Sequence, residues 1–580
     1  MFPVFRLLFV LFGVFAALIT VVRAEDNADS AALSAIAAAR AGDWPQAYAR
    51  AGQSKDGVLL KIVRWLDYTR PTPGSRFAEL AAFIDQNPDW PLQKKLLRRA
   101  EEALTGESDD VAADWLKRHP PIGGVGKARA AQILLNRGKT EAGTAALRTA
   151  WIEGDFTVAD ERSFQVRYSG VLRTEDHQKR LDRLIWDGLT DAARHMLPLV
   201  PGEYRLAAEA RLTLAANAAN GEALLAKVPA QLRSDPGVAF EEARWRRKKN
   251  GYEAAAQLLL AHADSPVRPA AWWGERQLVA RQLLAAGNAD TAYKLAQQHG
   301  LSDGNAYSEA EFLSGYIALR YRKDTALALD HFTRIQARVT TPYGKARAAY
   351  WSGRAAEAGG NSELAAKWYA TGTENMATFY GQLAAHQLGK DAPPRPVPEP
   401  QPSRAEQKHF NAQELVRAAQ LLFAAGDREH TRNFVMQMAD AAKTPVDFAM
   451  LASLAESQGR IDLAIAVAKR SIEAGTPLMV HGYPVTALPD GGTTERSLLF
   501  AIVRQESAFA PEAMVNTGCT YRKPWSMGTI RRSPNCTSDP CWLSSVSWAD
   551  TVGSWLMKLR TCCGPSMFSP LGNWYTDSLP

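Results

Sequence analysis

Cysteine is missing from the first 518 residues of this 580-residue chain; Cys519, Cys536, Cys541, Cys562 and Cys563 all fall in the last 62. The body of the protein is therefore not a disulfide scaffold. Long apolar runs are almost absent, with one uninterrupted stretch from Leu7 to Val22, which excludes a polytopic membrane protein. The net charge of +7 is spread over 68 basic and 61 acidic residues, so it marks no nucleic-acid footprint. Alternating β-branched patterns are scarce between residues 28 and 390, so a sheet is not expected there. With 46% apolar and 22% charged residues, the chain is neither disordered nor fibrous.

The start reads as an export signal. One positive charge at Arg6, the apolar run and a small residue at Ala24 fit a signal peptide over residues 1–24, cut after Ala24. An uncleaved N-terminal anchor is the alternative, the run being long for a signal and short for a span. Either leads to export, which in a Gram-negative cell means the periplasm.

From about residue 28 to 390 the chain is rich in alanine and leucine, with helix-forming stretches such as Ala31–Arg40 that end near glycine. A glycine followed five residues later by alanine recurs at Gly42/Ala47, Gly251/Ala256, Gly287/Ala292, Gly360/Ala365 and Gly459/Ala464. Small residues at that offset let consecutive helices approach closely. The intervals Gly251 to Gly287 and Gly426 to Gly459 are 36 and 33 residues, near the period of tetratricopeptide-type hairpins. The expected fold is all-α: a degenerate α-superhelical solenoid of TPR-like hairpins. A solenoid alone implies a contact surface and no chemistry. Residues 391–404 hold a run of prolines through which helix cannot continue, and they are expected to be an extended linker. Helical hairpins resume over 405–480, for example at Leu415–Leu422.

Chemistry is expected after the turn-rich Gly482-Tyr483-Pro484. Read as a helix, Glu495–Phe509 places Leu499, Ile502 and Val503 on one stripe, and Glu506 continues it. A carboxylate on an apolar face is desolvated, its pKa rises, and it can donate a proton near neutral pH. That is the requirement for a general acid in glycosidic cleavage. The competing reading is a surface Glu506 paired with Arg504 or Arg496.

Arg504-Gln505-Glu506-Ser507-x-Phe509, preceded by Leu498-Leu499-Phe500-Ala501-Ile502, resembles the opening of the catalytic domain of the soluble lytic transglycosylases. Ala348-Ala349-Tyr350-Trp351-Ser352-Gly353-Arg354-Ala355, Ala366-Lys367-Trp368-Tyr369 and Thr378-Phe379-Tyr380-Gly381-Gln382 resemble the end of that family's superhelical U-shaped domain. The resemblance spans about residues 30 to 518, with sharp motifs only after about 345. It implies a lysozyme-like catalytic domain beginning over 485–518. It also implies cleavage of the β-1,4 bond between N-acetylmuramic acid and N-acetylglucosamine without water. Glu506 would be the sole acid and base, first protonating the leaving oxygen and then activating the muramoyl 6-hydroxyl to give a 1,6-anhydro product. Ser507 would hydrogen-bond Glu506 at the substrate site, or be a plain helix-end hydroxyl. Glu512 is assigned a structural role. No metal and no cofactor is required. The implied partners are peptidoglycan glycan strands and other cell-wall enzymes; nucleic acid is not a partner, and a monomer is expected.

The match holds through Ala513–Gly518 and then fails: Cys519-Thr520-Tyr521-Arg522 stands where the family has a Gly-Leu-Met-Gln-type motif. Five of the 16 tryptophans also lie in the tail. Chance would gather all five cysteines there with odds of roughly one in 70,000. Two composition signals thus share one boundary. The sequence predicts a change of reading frame near codon 518, an aberrant tail over 519–580, and impaired activity through loss of the groove walls. Two other readings are a non-catalytic periplasmic scaffold or peptidoglycan-binding repeat protein, and a glycoside hydrolase releasing a reducing sugar.

Overall fold

The computed structural model describes residues 33–71, 74, 76–265, 267–389, 398–486 and 495–510. The expected signal peptide, most of the proline run, Glu512 and the 519–580 tail lie outside the described residues. Among the described residues the structure is helical, with no strand. No described helix is long and apolar enough to cross a membrane.

One local device builds the array. A helix ends on a left-handed residue, the next residue begins another helix, and the two helices pack on each other. Gly42 (φ 80°), Gly287 (φ 85°), Gly360 (φ 78°) and Gly459 (φ 67°) all play this part. The residue after each donates its N–H five residues back: Asp43 to Ala38 O at 2.9 Å, Asn288 to Leu283 O at 2.8 Å, Asn361 to Ala356 O at 2.9 Å and Arg460 to Ala455 O at 2.9 Å. These bonds satisfy carbonyls that a helix end would otherwise leave open. Glycine suits the position because a Cβ disfavours positive φ. Asp43, Asn288 and Asn361 then cap the following helix, each accepting from a backbone N–H three residues on.

The alanines expected to permit close approach are all buried: Ala47, Ala256, Ala292, Ala365 and Ala464. One turn is corrected by a residue. At the second of the five, Asn250 takes the left-handed conformation (φ 62°). Gly251, at φ −84°, is instead the N-cap of Tyr252–Ala261. The Tyr252 hydroxyl donates to Asn250 Oδ1 at 2.9 Å, and asparagine tolerates this conformation where most residues do not. The small residue in register with the other turns is therefore Ala255, with Ala256 beside it. Three turns of the same build, at Gly138, Gly188 and Gly426, were not among the five expected. Ala193 follows the second, and the first is followed by Gly143, where an added Cβ would lie 2.6 Å from Leu135 Cδ2.

The chain divides into two compact units, residues 1–395 with 420–427, and residues 396–419 with 428–580. In the first, a continuous core runs through Trp272, Trp273, Leu283, Leu313, Phe332 and their neighbours. The three aromatic motifs at its end assemble on one another. Tyr350 of helix Pro342–Ala358 lies 6.0 Å from Tyr369 and 5.7 Å from Tyr380, ring centre to ring centre. Gly353 allows this, since a Cβ there would stand 2.5 Å from Tyr369 Cε1. The Tyr350, Tyr369 and Tyr380 rings of these motifs thus pack together.

In the second unit the non-helical stretch ends one residue earlier than expected. Ser403 and Glu406 cap each other's backbone, and helix starts at Arg404. The helices Arg428–Ala441, Pro445–Ser457 and Ile461–Glu473 bury Phe434, Leu451, Leu463 and Val467. The short helix Met479–Gly482 and the helix Arg496–Ser507 complete the described part.

Candidate active site

Helix Arg496–Ser507 carries the residues on which chemistry was expected, and it is terminated sharply. Ala508 (φ 47°) and Phe509 (φ 61°) are consecutive left-handed residues that are not glycine. Each such residue costs about 1 kcal/mol, and strain of this kind gathers at functional sites. The reversal is held by Ala510 N–H donating to Ser507 O at 2.9 Å and by Phe509 returning to Phe500, with ring centres 5.8 Å apart.

Arg504 reaches back to a motif 22 residues earlier in the sequence. Its Nε donates to Gly482 O at 2.7 Å, and its guanidinium lies 4.2 Å from the centre of the Tyr483 ring. Gly482-Tyr483 is thereby the seat of the Glu506 helix. The seat is itself fixed. Glu399, from the proline-rich stretch, accepts from Val480 N–H at 2.5 Å, from His481 N–H at 3.0 Å and pairs with His481 Nδ1. On its other side His481 Nε2 meets Ser453 Oγ at 3.2 Å and Glu456 Oε2 at 3.4 Å. The Glu399 side chain is 5% exposed. Sequence reasoning did not single out Glu399 or His481; a carboxylate inside a proline run, where solvated helix is impossible, was the available signal.

Glu506 is exposed, and among the described residues it has no ion pair. Its proposed surface partner Arg504 is committed to Gly482 and Tyr483, and Arg496 sits over the Phe500 ring at 5.7 Å. Leu499, Ile502 and Val503 are half-buried, so the apolar stripe forms, but the desolvation expected at Glu506 is not supplied by the described residues. Ser507 is half-buried and its hydroxyl donates to Val503 O at 3.0 Å, the bond of a helix-end serine. A carboxylate that has no partner among the described residues, at the end of an anchored helix, can exchange a proton with a bound molecule.

The first unit holds a second polar cluster with no such access. Glu311 receives His299 Nε2 at 3.3 Å and His331 Nδ1 at 2.5 Å, and His331 Nε2 meets the Tyr293 hydroxyl at 2.9 Å. Leu301 N–H donates to His299 Nδ1, which leaves the proton on Nε2, facing Glu311. Burial opposes ionisation of Glu311, but the two histidine hydrogen bonds and the nearby Arg334 charge overcome it and hold its pKa at about 2. This cluster ties three helices together.

The architecture is that of a helical-repeat protein, and its last described helix carries one carboxylate, the exposed Glu506. This fold is similar to that of two solved lytic transglycosylases. An inactive glutamate-to-glutamine mutant of lytic transglycosylase Slt from Pseudomonas aeruginosa matches with a TM-score of 0.60 at 18% identity, over 86% of this chain and 79% of that one. The 70-kDa soluble lytic transglycosylase, solved in complex with bulgecin A, matches with a TM-score of 0.52 at 16% identity, over 85% of this chain and 79% of that one. No family model and no curated protein matches the sequence.

Proposed function

We propose that this chain derives from a periplasmic lytic transglycosylase, a lyase that cleaves the N-acetylmuramic acid to N-acetylglucosamine bond of peptidoglycan. What carries the reading is the seating of Glu506: a carboxylate without an ion pair among the described residues, on a helix that Arg504 fixes to Gly482-Tyr483. In this proposal Glu506 protonates the glycosidic oxygen as the bond to C1 breaks. The resulting carboxylate then accepts the proton of the muramoyl 6-hydroxyl as that oxygen closes on C1, giving a 1,6-anhydro end and returning Glu506 to its acid form. Ser507 lines the substrate side of the helix end. The leucine- and alanine-rich array offers a surface for glycan strands and for other cell-wall enzymes.

The chain as written is impaired in this proposal, because residues 519–580 replace the motif that would wall the sugar groove. Positioning supplies much of the rate of such reactions. Incubating the full chain with purified peptidoglycan and weighing the products tests both points. Trace anhydro product, one water lighter than a hydrolysed end and absent in Glu506→Gln, supports the assignment. A full yield of anhydro product sinks the impairment, and a reducing end makes the chain a hydrolase. Binding of peptidoglycan with no product of either kind favours the scaffold reading, which the missing Gly-Leu-Met-Gln-type turn also supports.

A further inference from the structure

A cavity of about 230 Å³ opens in the first unit, lined by Leu319, Arg320, Lys323, Thr325, Trp351 and Arg354, with Ala358 at its edge. Its floor is irregular backbone. The helix Gly304–Ile317 runs on into a π-helical turn, Ala318–Arg322, which ends on Lys323 in the left-handed conformation (φ 57°). Such π-turns are uncommon and gather at functional sites. Among the described residues, the other left-handed residues that end helices of the array are glycine or asparagine, as at Gly287, Gly360 and Asn250. Glycine would relieve strain here too, yet the sequence holds a lysine, and that lysine lines the cavity.

The charges are unbalanced. On neighbouring turns Arg322 pairs with Asp290 at 2.6 Å, and Arg334 and Arg347 pair with Asp330 and Glu309. Arg320 and Lys323 have no acceptor among the described residues and stand exposed. Arg354 is held in place, its Nη1 donating to the Tyr350 hydroxyl at 3.0 Å and its Nε lying 3.4 Å from Glu357 Oε2. The Trp351 Nε1 donor is buried and bonds to no described acceptor. Arg320, Lys323, the Glu357-paired Arg354, the Trp351 ring and the Thr325 side chain therefore line a space smaller than the ~300 Å³ at which sites for drug-sized ligands begin. It suits an end group.

We propose that this cavity is an anion site that takes the carboxylate end of a peptide, with Arg320, Lys323 and Arg354 on the carboxylate and Trp351 against the adjoining apolar group. The site lies outside the cleavage chemistry and goes beyond the function proposed above. Binding is measured directly, so loss of activity at Glu506 leaves the result readable.

The test is calorimetry on the full chain with acetyl-alanyl-alanine, its C-terminal amide and inorganic phosphate as probes. The acid binds, and the amide binds at least tenfold more weakly. Lys323→Gly, which removes backbone strain as well as charge, weakens the acid at least tenfold while Tm stays level or rises. Arg320→Gln weakens it as well. No binding of the acid, equal binding of acid and amide, or undiminished binding in Lys323→Gly overturns the site. Phosphate binding as tightly as the peptide acid overturns the peptide assignment.

Discussion

Replacing Arg504 by alanine should release the Glu506 helix from its seat while leaving the rest of the unit folded. Two contacts disappear. The charge-assisted hydrogen bond from Nε to Gly482 O, at 2.7 Å, is of a kind that contributes about 1.5–3 kcal/mol. The guanidinium over the Tyr483 ring, at 4.2 Å, adds about 0.5–1 kcal/mol at a site open to water. Arg504 is only half-buried, so the lower ends of both ranges apply, about 2 kcal/mol together. None of the residues from Arg496 to Ser507 is fully buried, so little else holds this helix among the described residues. At 1.4 kcal/mol per factor of ten, its amide protons should exchange roughly thirtyfold faster in the variant. Hydrogen exchange read by mass spectrometry on peptides from 496–507 measures this, with peptides from Ile461–Glu473 as the internal reference. Unchanged protection in 496–507 would refute the anchoring argument. Arg504→Lys should recover less than half of the loss, because an ammonium cannot both stack flat on Tyr483 and donate along the same fork.

Glu399→Gln should loosen the same seat from behind, speeding exchange in the segment around His481 by tenfold or more, since it removes the charge that gathers two backbone N–H groups and a histidine; an unchanged rate would make the contact incidental. Glu311, with a folded pKa of about 2 against an ordinary 4.5, contributes stability that is present above pH 4.5 and is lost as pH falls toward 2. Urea unfolding should therefore show Glu311→Gln clearly less stable than the parent at pH 7, with the gap narrowing by pH 2.5; a constant gap would contradict the assignment. Gly353→Ala should cost about 1–3 kcal/mol through its clash with Tyr369, partly recovered by Tyr369→Leu, as read in thermal melts. Gly287→Ala should cost about 1 kcal/mol at φ 85°, whereas Gly251→Ala at φ −84° should lose only the smaller preference of an N-cap for glycine over alanine, and a larger loss at Gly251 than at Gly287 would undo the reassignment of that turn to Asn250.

Helix content, the turn device and the position of the Glu506 helix were legible in the sequence because each is set by residues close together in the chain. Alanine and leucine favour helix, glycine accepts positive φ, and a small residue five positions on is the local mark of a tight hairpin. Where two adjacent residues could serve, as at Asn250 and Gly251, the local rule chose the glycine, but backbone hydrogen bonding placed the turn at the asparagine. The failure of the family motif after Gly518 was also a matter of linear order. Tertiary structure alone decided the rest. It set Arg504 on a carbonyl 22 residues away instead of on Glu506, and it brought Glu399 across 82 residues to His481. It also gathered Arg320, Lys323 and Arg354 around one cavity. Such pairings depend on how helices pack, and packing is fixed by burial of faces distributed along the whole chain. No window of sequence contains that information.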